Sequence, residues 1–399
     1  MALAPLVAPA PALSASEVER FSRHLLLPQV GAVGQRRLRR ARVCVVGAGG
    51  LGAPVLLYLA AAGVGRIGIV DFDAVEANNL QRQVIHGRSD VGRAKVESAR
   101  DAVLAIDPDL DVVLHAVRLV AENVDAVLRG YDLVIDGTDN FPTRYLVNDA
   151  CVRLGIPEVW GSVFRFDAQV SVFWGRPPAA SGVAPVQLRD LFPTAPPAGS
   201  VPSCAEGGVF GALCGQVGSV MATEAVKLIT GIGEPLLGRV LVLDALAARW
   251  SEVALRGAPG RLPADDVVVE TETGAAGPDP DDDVPAISAR DLASRLAGRD
   301  AAVGGAAGEG FVLIDVREPA EREIVSIPGA LSVPLGGILD GRALADLPRD
   351  RPLVLHCHSG ARSAQAVRAL VLAGFGDVCH LAGGVLAWID DVDPSLPRY

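Results

Sequence analysis

The stretch VCVVGAGGLGAP, residues 43 to 54, decides the fold of the first part of this chain. An apolar run leads directly into the pattern G-x-G-x-x-G, formed by Gly47, Gly49 and Gly52, with an additional glycine at Gly50. A glycine turn between a strand and a helix lets the backbone approach phosphate groups and aims helix N-terminal N–H groups at them. The pattern alone leaves open whether the turn binds NAD or another phosphate-bearing ligand.

Apolar runs and helical patterns alternate around this turn. Strands are expected near 42–47 and over RIGIVD, VVLHAV and YDLVID, with helices starting at about Leu51 and running over about 92–106. Alternating strands and helices are typical of an α/β protein with a mostly parallel, doubly wound, Rossmann-like sheet.

Changes in composition divide the chain into parts. The N-terminal segment is apolar and proline-containing but lacks a basic region, which predicts a disordered tail and not a signal peptide. Seven prolines over 175–207 predict a long crossover loop, and eight acidic residues with no basic one over 265–283 predict a solvated linker. We therefore expect four parts: a tail (1–14), a first domain (15–258), an acidic linker (259–284) and a second, smaller α/β domain (285–399).

Charge and cysteine usage exclude several classes of protein. A net charge of -11 argues against a nucleic-acid-binding surface, which needs clustered Lys and Arg. The six cysteines include no C-x-x-C pair, which favours a reducing, cytoplasmic setting. Apolar runs are interrupted well before the roughly 18 residues that a membrane span needs.

Polar residues near the glycine turn decide between nucleotides. Asp71 ends the second predicted strand, at the spacing of a ribose-binding carboxylate. Further polar side chains follow it: Asp73, Asn79, Arg82, Gln83 and Lys95. Two cations and an amide suit a triphosphate better than the pyrophosphate of a dinucleotide. Asp139, after the fourth strand, is placed to hold Mg²⁺. The sequence therefore predicts ATP and not NAD.

The run from Arg20 to Asp244 resembles the MoeB/ThiF/E1-like activating enzymes. The matching segments occur in family order: RFSRHLLLPQVG, GAGGLG, DFD, NNLQRQ, GRAKVESA, DGTDNFPTRYLVND, WGSVFRFDAQVSVF, VPSCAEGG and MATEAVKLITGIGEPLLGRVLVLDAL. The resemblance implies a mixed, mostly parallel sheet. It also implies adenylation, by MgATP, of the C-terminal glycine of a ubiquitin-like sulfur carrier that ends in Gly-Gly.

Residue roles follow from the same resemblance. It implies that Asp71 binds the adenosine ribose, that Arg82 and Lys95 bind the phosphates, and that Asp139 binds Mg²⁺. Arg23 matches an arginine that such homodimers insert from the neighbouring subunit. Simpler interpretations remain open for three of these residues. Arg23 could be a solvated surface charge, Asp71 could simply end a strand, and Asp139 could cap the helix that begins near residue 141.

One departure from the family concerns zinc. Many relatives carry two C-x-x-C pairs that form a structural zinc site. Here PVQLRDLFP has Gln187 and Asp190 in place of the first pair, and RGAPGRLPADD contains no cysteine. The sequence therefore predicts no zinc site. The paired loss together with a fused second domain resembles actinobacterial MoeZ-type proteins.

The second domain contains a candidate nucleophile in LVLHCHSGARSAQAV. Cys357 follows an apolar strand and precedes a helix, where backbone N–H groups and Arg362 favour a thiolate or persulfide. Only four residues separate Cys357 from Arg362, so the loop suits one sulfur atom better than a phosphate. The segment resembles a single-domain rhodanese, with LIDVREP (Asp315, Arg317), IPGA, C-x-x-G-x-R-S and LAGGVLAW in family order, although Ser326 replaces a frequent histidine. His356 and His358 are interpreted as loop packing.

Combining the two domains predicts sulfur transfer to an activated carrier. The sulfur donor would be thiosulfate or a cysteine desulfurase persulfide, and the acceptor would be the carrier acyl-adenylate. Cys204, in VPSCAEGG, is a candidate second thiol for releasing the thiocarboxylate, or it packs under its loop. Two alternatives stay open: an NAD-dependent oxidoreductase fused to a sulfurtransferase, and a non-catalytic carrier-binding scaffold. The sequence does not indicate the pathway.

Overall fold

The computed structural model describes residues 3–195, 207–258, 284–301 and 310–399. The described residues form two compact units, the first up to residue 258 and the second from residue 284. Within these ranges, every helix is too short or too polar to cross a membrane.

One eight-stranded sheet forms the centre of the first unit. Its strands are β1 (Arg42–Val46), β2 (Arg66–Val70), β3 (Asp111–His115), β4 (Leu133–Asp136), β5 (Glu158–Phe164), β6 (Asp167–Phe173), β7 (Arg239–Asp244) and β8 (Arg249–Ala254). Their spatial order is β3-β2-β1-β4-β5-β6-β7-β8. The strands from β3 to β5 pair in parallel, and β5 to β8 pair antiparallel. The predicted mixed, mostly parallel sheet is confirmed.

Helices cover both faces of this sheet. They are α1 (Ala15–Arg20), α2 (Ser22–Leu25), α3 (Gly31–Arg40), α4 (Gly52–Ala62), α5 (Lys95–Ile106), α6 (Val124–Leu128), α7 (Phe141–Leu154), α8 (Leu188–Leu191) and α9 (Gly211–Thr230). Alternate residues of β1 serve opposite faces: Val43 and Val45 join the core under α4 and α9, whereas Cys44 and Val46 join the core under α6 and α7. Burial on both faces explains why the strand is continuously apolar.

Strand order determines where the candidate site lies. β1 is flanked by β2 and β4, and all three run in the same direction. The loops after their carboxyl ends therefore meet at one edge of the sheet, which is where open α/β sheets bind ligands. These loops carry Gly47, Asp71 and Asp139.

The N-terminal segment differs from the expected disordered tail. Leu3, Leu6 and Val7 pack against the main core of the first unit. The Leu6 N–H donates to the Leu228 carbonyl at 3.1 Å, and the Ala10 N–H donates to the Arg36 carbonyl at 2.9 Å. Apolar side chains in a proline-containing segment can still gain free energy by burial against an existing surface, a tertiary effect that composition does not reveal.

The predicted loop and linker are described only in part. Residues 175–195 contain a 3-10 turn over Ala179–Ser181 and the helix α8, and residues 196–206 lie outside the described ranges. Of the linker predicted over 259–284, only Val284 is described. Val284 is buried in the core of the second unit, so the described part of that unit begins there.

The second unit is built on a five-stranded parallel sheet. Its strands are β9 (Ala286–Ile287), β10 (Val312–Asp315), β11 (Leu331–Ser332), β12 (Leu353–His356) and β13 (Val378–Leu381), in the order β11-β10-β12-β13-β9. Its helices are α10 (Ala289–Ala301), α11 (Pro319–Ile324), α12 (Leu335–Leu339), α13 (Ala361–Leu372) and α14 (Gly384–Asp391). The central strand β12 ends directly before Cys357, so the candidate nucleophile lies at the carboxyl edge of the sheet.

Candidate functional sites

The glycine turn after β1 requires glycine at two positions. Gly47 has φ +93°, a backbone conformation that residues with a side chain rarely adopt. A Cβ at Gly52 would lie 1.8 Å from the Gly47 carbonyl oxygen. The first residue of α4 is thus folded back onto the end of β1, which places the helix N-terminus at the carboxyl edge of the sheet.

Asp71 holds this turn. Its Oδ2 accepts the Ala48 N–H at 2.9 Å, and its Oδ1 accepts the Asp73 N–H at 2.9 Å. The side chain is half-buried. Each carboxylate oxygen has a second lone pair, so Asp71 can accept further hydrogen bonds from a ligand. Asp71 therefore does more than end a strand.

The structure brings Arg82 and Gln83 to the glycine turn. A side-chain Cβ added at Gly50 would lie 3.6 Å from the Arg82 Cγ, and a Cβ added at Gly49 would lie 3.6 Å from the Gln83 Nε2. Gln83 is buried, and its Oε1 has no hydrogen-bond partner among the described residues. Buried amide oxygens are usually paired, so the Gln83 Oε1 is available to accept a hydrogen bond from a group that binds beside the turn.

Lys95 reaches the same region through Asp73. Lys95 is buried, and its Nζ lies 3.0 Å from the Asp73 Oδ2. Asn79 supports the preceding loop, since its Oδ1 accepts the Glu76 N–H at 3.1 Å. All six polar residues predicted from the DFDAVEANNLQRQ segment and the helix after it therefore lie in the segments around the glycine turn or help to shape them.

Asp139 lies in the loop after β4, which contacts the glycine turn. A Cβ on Gly47 would lie 3.2 Å from the Gly137 carbonyl oxygen, two residues before Asp139. The capping role considered for Asp139 belongs to Asn140, whose side chain accepts the Thr143 N–H at 3.0 Å. Asp139 is exposed. Its carboxylate is therefore accessible to a cation or ligand.

Arg23 lies on α2 and is exposed. Within the ranges that the structure describes, it forms no hydrogen bond or ion pair. The neighbouring Leu26 and Leu27 are 72% and 50% exposed. This geometry suits both interpretations of Arg23, a surface charge and a residue donated to another subunit.

The two segments that differ from the zinc-binding relatives are joined by a carboxylate. The Asp190 Oδ1 accepts the Ala258 N–H at 3.0 Å, and its Oδ2 accepts the Gln187 N–H at 3.0 Å. The Asn148 Nδ2 donates to the Gln187 Oε1 at 3.3 Å. No cluster of three or more His, Cys, Asp or Glu side chains suited to a metal ion occurs in the described ranges.

Cys357 lies in a compact loop at the start of α13. Its side chain is buried, and its Sγ accepts a hydrogen bond from the Gly360 N–H at 3.1 Å. The Ser363 hydroxyl lies 3.5 Å from the same sulfur. Gly360 has φ +108°, which turns its N–H back toward the cysteine. Donors around one sulfur atom stabilise a thiolate or persulfide.

Arg362 forms a bidentate ion pair that the sequence did not indicate. Its two terminal nitrogens donate to the two Glu321 oxygens, each at 2.8 Å. Burial raises the pKa of Glu321, but the hydrogen bonds and charge of Arg362, together with the Glu318 N–H and the Arg317 charge, hold that pKa below its usual value. Glu321 on α11 thus positions the arginine that follows the cysteine loop.

A second buried ion pair lies below the loop. The Arg317 guanidinium donates to both Asp315 oxygens, at 2.9 and 2.7 Å, and both side chains are fully buried. His356 is also fully buried, with its Nε2 3.8 Å from the Asp315 Oδ2. Burial lowers the pKa of His356 to about 4, so the ring is neutral at pH 7. The His358 Nε2 lies 2.8 Å from the main-chain carbonyl oxygen of Tyr399.

The other cysteines are distributed as the pattern predicts. Cys44 lies in β1 and Cys379 in β13, whereas Cys151 and Cys214 lie in helices. Burial raises the pKa of the Cys44, Cys151 and Cys379 thiols, which makes them poor nucleophiles. Cys204, predicted as a second reactive thiol, lies outside the described residues.

Sequence reasoning missed three supporting residues. Glu321 belongs to no recognised motif, and its pairing with Arg362 depends on where the fold places α11 beside the start of α13. Ser363 belongs to the C-x-x-G-x-R-S motif, which was the available signal. His86 follows the NNLQRQ segment but had no recognisable pattern of its own.

Comparisons with known proteins cover both units. The ThiF family model matches residues 21–261, and the rhodanese-like domain model matches residues 292–391. The probable adenylyltransferase/sulfurtransferase MoeZ of Mycobacterium tuberculosis is 52% identical over 402 residues, covering 100% of this chain and 99% of that protein. The adenylyltransferase and sulfurtransferase MOCS3-1 of Zea mays is 40% identical, covering 98% and 86%.

Two further similarities concern less of the chain. The sulfur carrier protein adenylyltransferase of Thermus thermophilus is 53% identical over 243 residues, covering 61% of this chain and 89% of that protein. A crystal structure of E. coli MccB with MccA-N7isoASN has a TM-score of 0.54 and 22% identity, covering 61% of this chain and 74% of that chain. At this identity the structural similarity shows the fold alone.

Proposed function

We propose that this chain activates and then sulfurates a ubiquitin-like sulfur carrier. The chain belongs to the ThiF family, carries a C-terminal rhodanese-like domain and is an adenylyltransferase and sulfurtransferase. The carrier ends in Gly-Gly, and its product is a C-terminal thiocarboxylate. The observation that carries the proposal is the presence, in one chain, of a cation-lined glycine turn and a sulfur-binding cysteine loop.

In the first step the carrier carboxylate attacks the α-phosphate of ATP. The acyl-adenylate forms and pyrophosphate leaves. Arg82 and Lys95 stabilise the charge on the departing pyrophosphate, and Asp71 accepts hydrogen bonds from the ribose. Arg82 beside the glycine turn and Lys95 paired with Asp73 in the neighbouring loop support ATP over NAD.

The residues present fit Mg²⁺. Asp139 offers an exposed carboxylate in the loop beside the glycine turn, and Mg²⁺ is usually held by one or two carboxylates together with substrate phosphates. When bound there, the ion would neutralise phosphate charge. For zinc we propose the opposite, because the Asp190 carboxylate already joins the two segments that hold zinc in many relatives.

In the second step Cys357 accepts and passes on sulfur. The Cys357 thiolate attacks the outer sulfur of thiosulfate, or of a desulfurase persulfide, and releases sulfite or the desulfurase thiolate. The terminal sulfur of the resulting persulfide attacks the acyl-adenylate and expels AMP, which leaves an acyl disulfide. The Gly360 N–H and Ser363 hydroxyl support the negative sulfur in each state.

A second thiolate must release the product. It attacks the Cys357 sulfur of the acyl disulfide, so that the thiocarboxylate leaves and a disulfide remains on the enzyme. A cellular dithiol then reduces that disulfide. We propose Cys204 as this thiol, because its segment is part of the family resemblance; a Cys204→Ala protein that still forms thiocarboxylate at the normal rate would refute this assignment.

We further propose that the chain acts as a cytoplasmic homodimer in which the rhodanese-like domain delivers sulfur to the adenylate. The exposed Arg23 would enter the nucleotide site of the partner subunit. The acidic segment proposed over 259–284 would act as a linker that raises the effective concentration of the Cys357 persulfide near the adenylate. The domain limits of 15–258 and 285–399 are part of this proposal.

Mass spectrometry of the carrier tests the two-step proposal. A purified Gly-Gly carrier is incubated with the full chain, MgATP and thiosulfate, and a parallel reaction uses Cys357→Ala. Both proteins should release pyrophosphate, but only the wild type should replace a carrier oxygen with sulfur. Cys379→Ala is the matched control and should behave as wild type. Sulfur incorporation by Cys357→Ala would exclude the persulfide route.

A further inference from the structure

His86 is a buried polar residue that the proposed chemistry does not use. It is 7% exposed and follows Gln83 by three residues. Its Nδ1 lies 2.8 Å from the Ser98 hydroxyl oxygen, and its Nε2 lies 3.0 Å from the Ala48 carbonyl oxygen. Both ring nitrogens are therefore engaged, one of them with the backbone of the glycine turn.

These two contacts determine the tautomer of the ring. A carbonyl oxygen can only accept, so the Nε2 of His86 must carry a proton and donate it to Ala48. In the neutral ring Nδ1 then accepts the Ser98 hydroxyl proton. Burial lowers the pKa of His86, with the nearby Lys95 acting in the same direction, which favours this neutral form. The Ala48 carbonyl therefore fixes the tautomer, and the Ser98 hydroxyl, which also hydrogen-bonds the Asp90 carboxylate, supports the other ring nitrogen.

Both backbone polar groups of Ala48 are therefore hydrogen-bonded. Its N–H donates to the Asp71 Oδ2, and its carbonyl oxygen accepts from His86. The next peptide group contains the Ala48 carbonyl and the Gly49 N–H, which point in opposite directions across a trans peptide. Holding the carbonyl toward His86 therefore turns the Gly49 N–H away from the core. The Gly49 N–H donates to no residue in the described ranges.

The two hydrogen bonds that hold Ala48, from its N–H to Asp71 and to its carbonyl from His86, form a clamp on the glycine turn. The clamp matters because the backbone of the turn can adopt other conformations. Glycines on both sides of Ala48 can adopt many backbone angles, so the peptide between Ala48 and Gly49 could rotate and point its oxygen at the ligand. A carbonyl oxygen in that place would repel phosphate. His86 removes this alternative by binding the oxygen.

We propose that His86 is a positioning residue for the nucleotide, which orients the Gly49 N–H toward the phosphates by binding the Ala48 carbonyl, with Ser98 as its support. The inference rests on the proposed nucleotide site. It assigns to this buried imidazole a role in recognising the phosphate part of ATP and none in recognising adenosine.

Binding measurements on the full chain test this assignment. The dissociation constants of ATP and adenosine, each with Mg²⁺, are measured by calorimetry or competition for wild type, His86→Leu, His86→Gln and Ser98→Ala, below the melting temperature of each protein. We expect His86→Leu to weaken ATP binding by about tenfold, a change typical for the loss of one hydrogen bond. Adenosine binding should change less than twofold. His86→Gln keeps a donor and should recover most of the ATP affinity.

The outcomes separate the inference from the proposed function. Equal weakening of ATP and adenosine binding, or unchanged ATP binding in His86→Leu, overturns the positioning role while the nucleotide site stands. Failure of the wild type to bind ATP overturns the site and the inference together. If His86→Leu does not fold, Ser98→Ala decides: a rise of about threefold in the ATP dissociation constant alone supports the clamp, and no change overturns it.

Discussion

The Arg362 guanidinium donates two hydrogen bonds of 2.8 Å to the Glu321 carboxylate, which joins α13 to α11 beside the Cys357 loop. Both side chains are largely buried, at 11% and 8% exposure. A buried charge that loses its partner destabilises a protein far more than an exposed one. Arg362, which the sequence predicts to assist Cys357, therefore also stabilises the structure around the Cys357 loop.

Glu321→Gln should destabilise the second unit by about 3 kcal/mol, because the largely buried Arg362 guanidinium would lose the carboxylate charge that binds both of its terminal nitrogens. The double variant Glu321→Gln/Arg362→Gln should recover part of this loss, since neither charge remains. The free energy of unfolding of the second unit in each variant is measured from its hydrogen exchange in urea, followed on peptides of that unit by mass spectrometry. Asp340→Asn, which breaks the exposed pair with Arg342, is the control and should leave stability unchanged. Equal effects of Glu321→Gln and Asp340→Asn would contradict the prediction.

Ser363→Ala should slow alkylation of Cys357 and sulfur transfer from thiosulfate. Among the described residues, the Gly360 N–H and the Ser363 hydroxyl, the latter 3.5 Å away, are the two hydrogen-bond donors to the Cys357 sulfur. Removing a donor to an anionic sulfur should lower the rate about three- to tenfold. Ser359→Ala, an identical change at an exposed position of the same loop, should have no effect. Peptide mass spectrometry after timed alkylation provides the rates, and equal rates for the two variants would exclude a role for the Ser363 hydroxyl.

Gly52→Ala should abolish ATP binding. The added methyl group would lie 1.8 Å from the Gly47 carbonyl oxygen, so either α4 or the turn must move. Gly215→Ala, on the helix α9, has no atom within 4 Å of the added methyl group and should slightly stabilise the first unit by removing a helical glycine. ATP-induced shifts in melting temperature compare the two proteins. A normal shift in Gly52→Ala would show that the turn does not contact the nucleotide.

The second unit should lose stability as pH falls from about 6.5 to about 4. Burial lowers the pKa of His356 from 6.5 to about 4, so the folded state binds fewer protons than the unfolded state in this range. The second unit therefore loses about 3 kcal/mol of its free energy of unfolding through His356 across this range, and none of this loss occurs above pH 6.5.

His356→Leu removes the titrating ring and should reduce the dependence of the free energy of unfolding on pH between 7 and 4. This free energy is measured by proteolysis of the second unit in increasing urea, with the cleaved peptides identified by mass spectrometry. Burial raises the pKa of Asp315, but the hydrogen bonds and charge of Arg317 together with the charge of His356 lower it below its usual value, so Asp315 loses its contribution to stability only below about pH 4. An unchanged slope in His356→Leu would mean that another group titrates.

Much of the arrangement around the glycine turn could be predicted, because its residues follow strands in one short stretch of chain. The motifs from Gly47 to Lys95 lie in segments that the alternation of strands and helices places at one sheet edge. His86 could not be predicted in this way. Its partners Ala48 and Ser98 lie 38 and 12 residues away, and a buried histidine has no periodic signature.

The sequence by itself determined the two α/β folds, the glycine turn and the position of Cys357, because periodicity and glycine placement act locally along the chain. Tertiary structure alone decided three other features: the packing of the N-terminal segment, the pairing of Glu321 with Arg362 and the hydrogen bond of His86 with the Ala48 carbonyl. Each depends on burial between segments distant in sequence. Burial strengthens such contacts and makes unpaired polar groups costly, and it is a property of the folded chain and not of any one segment.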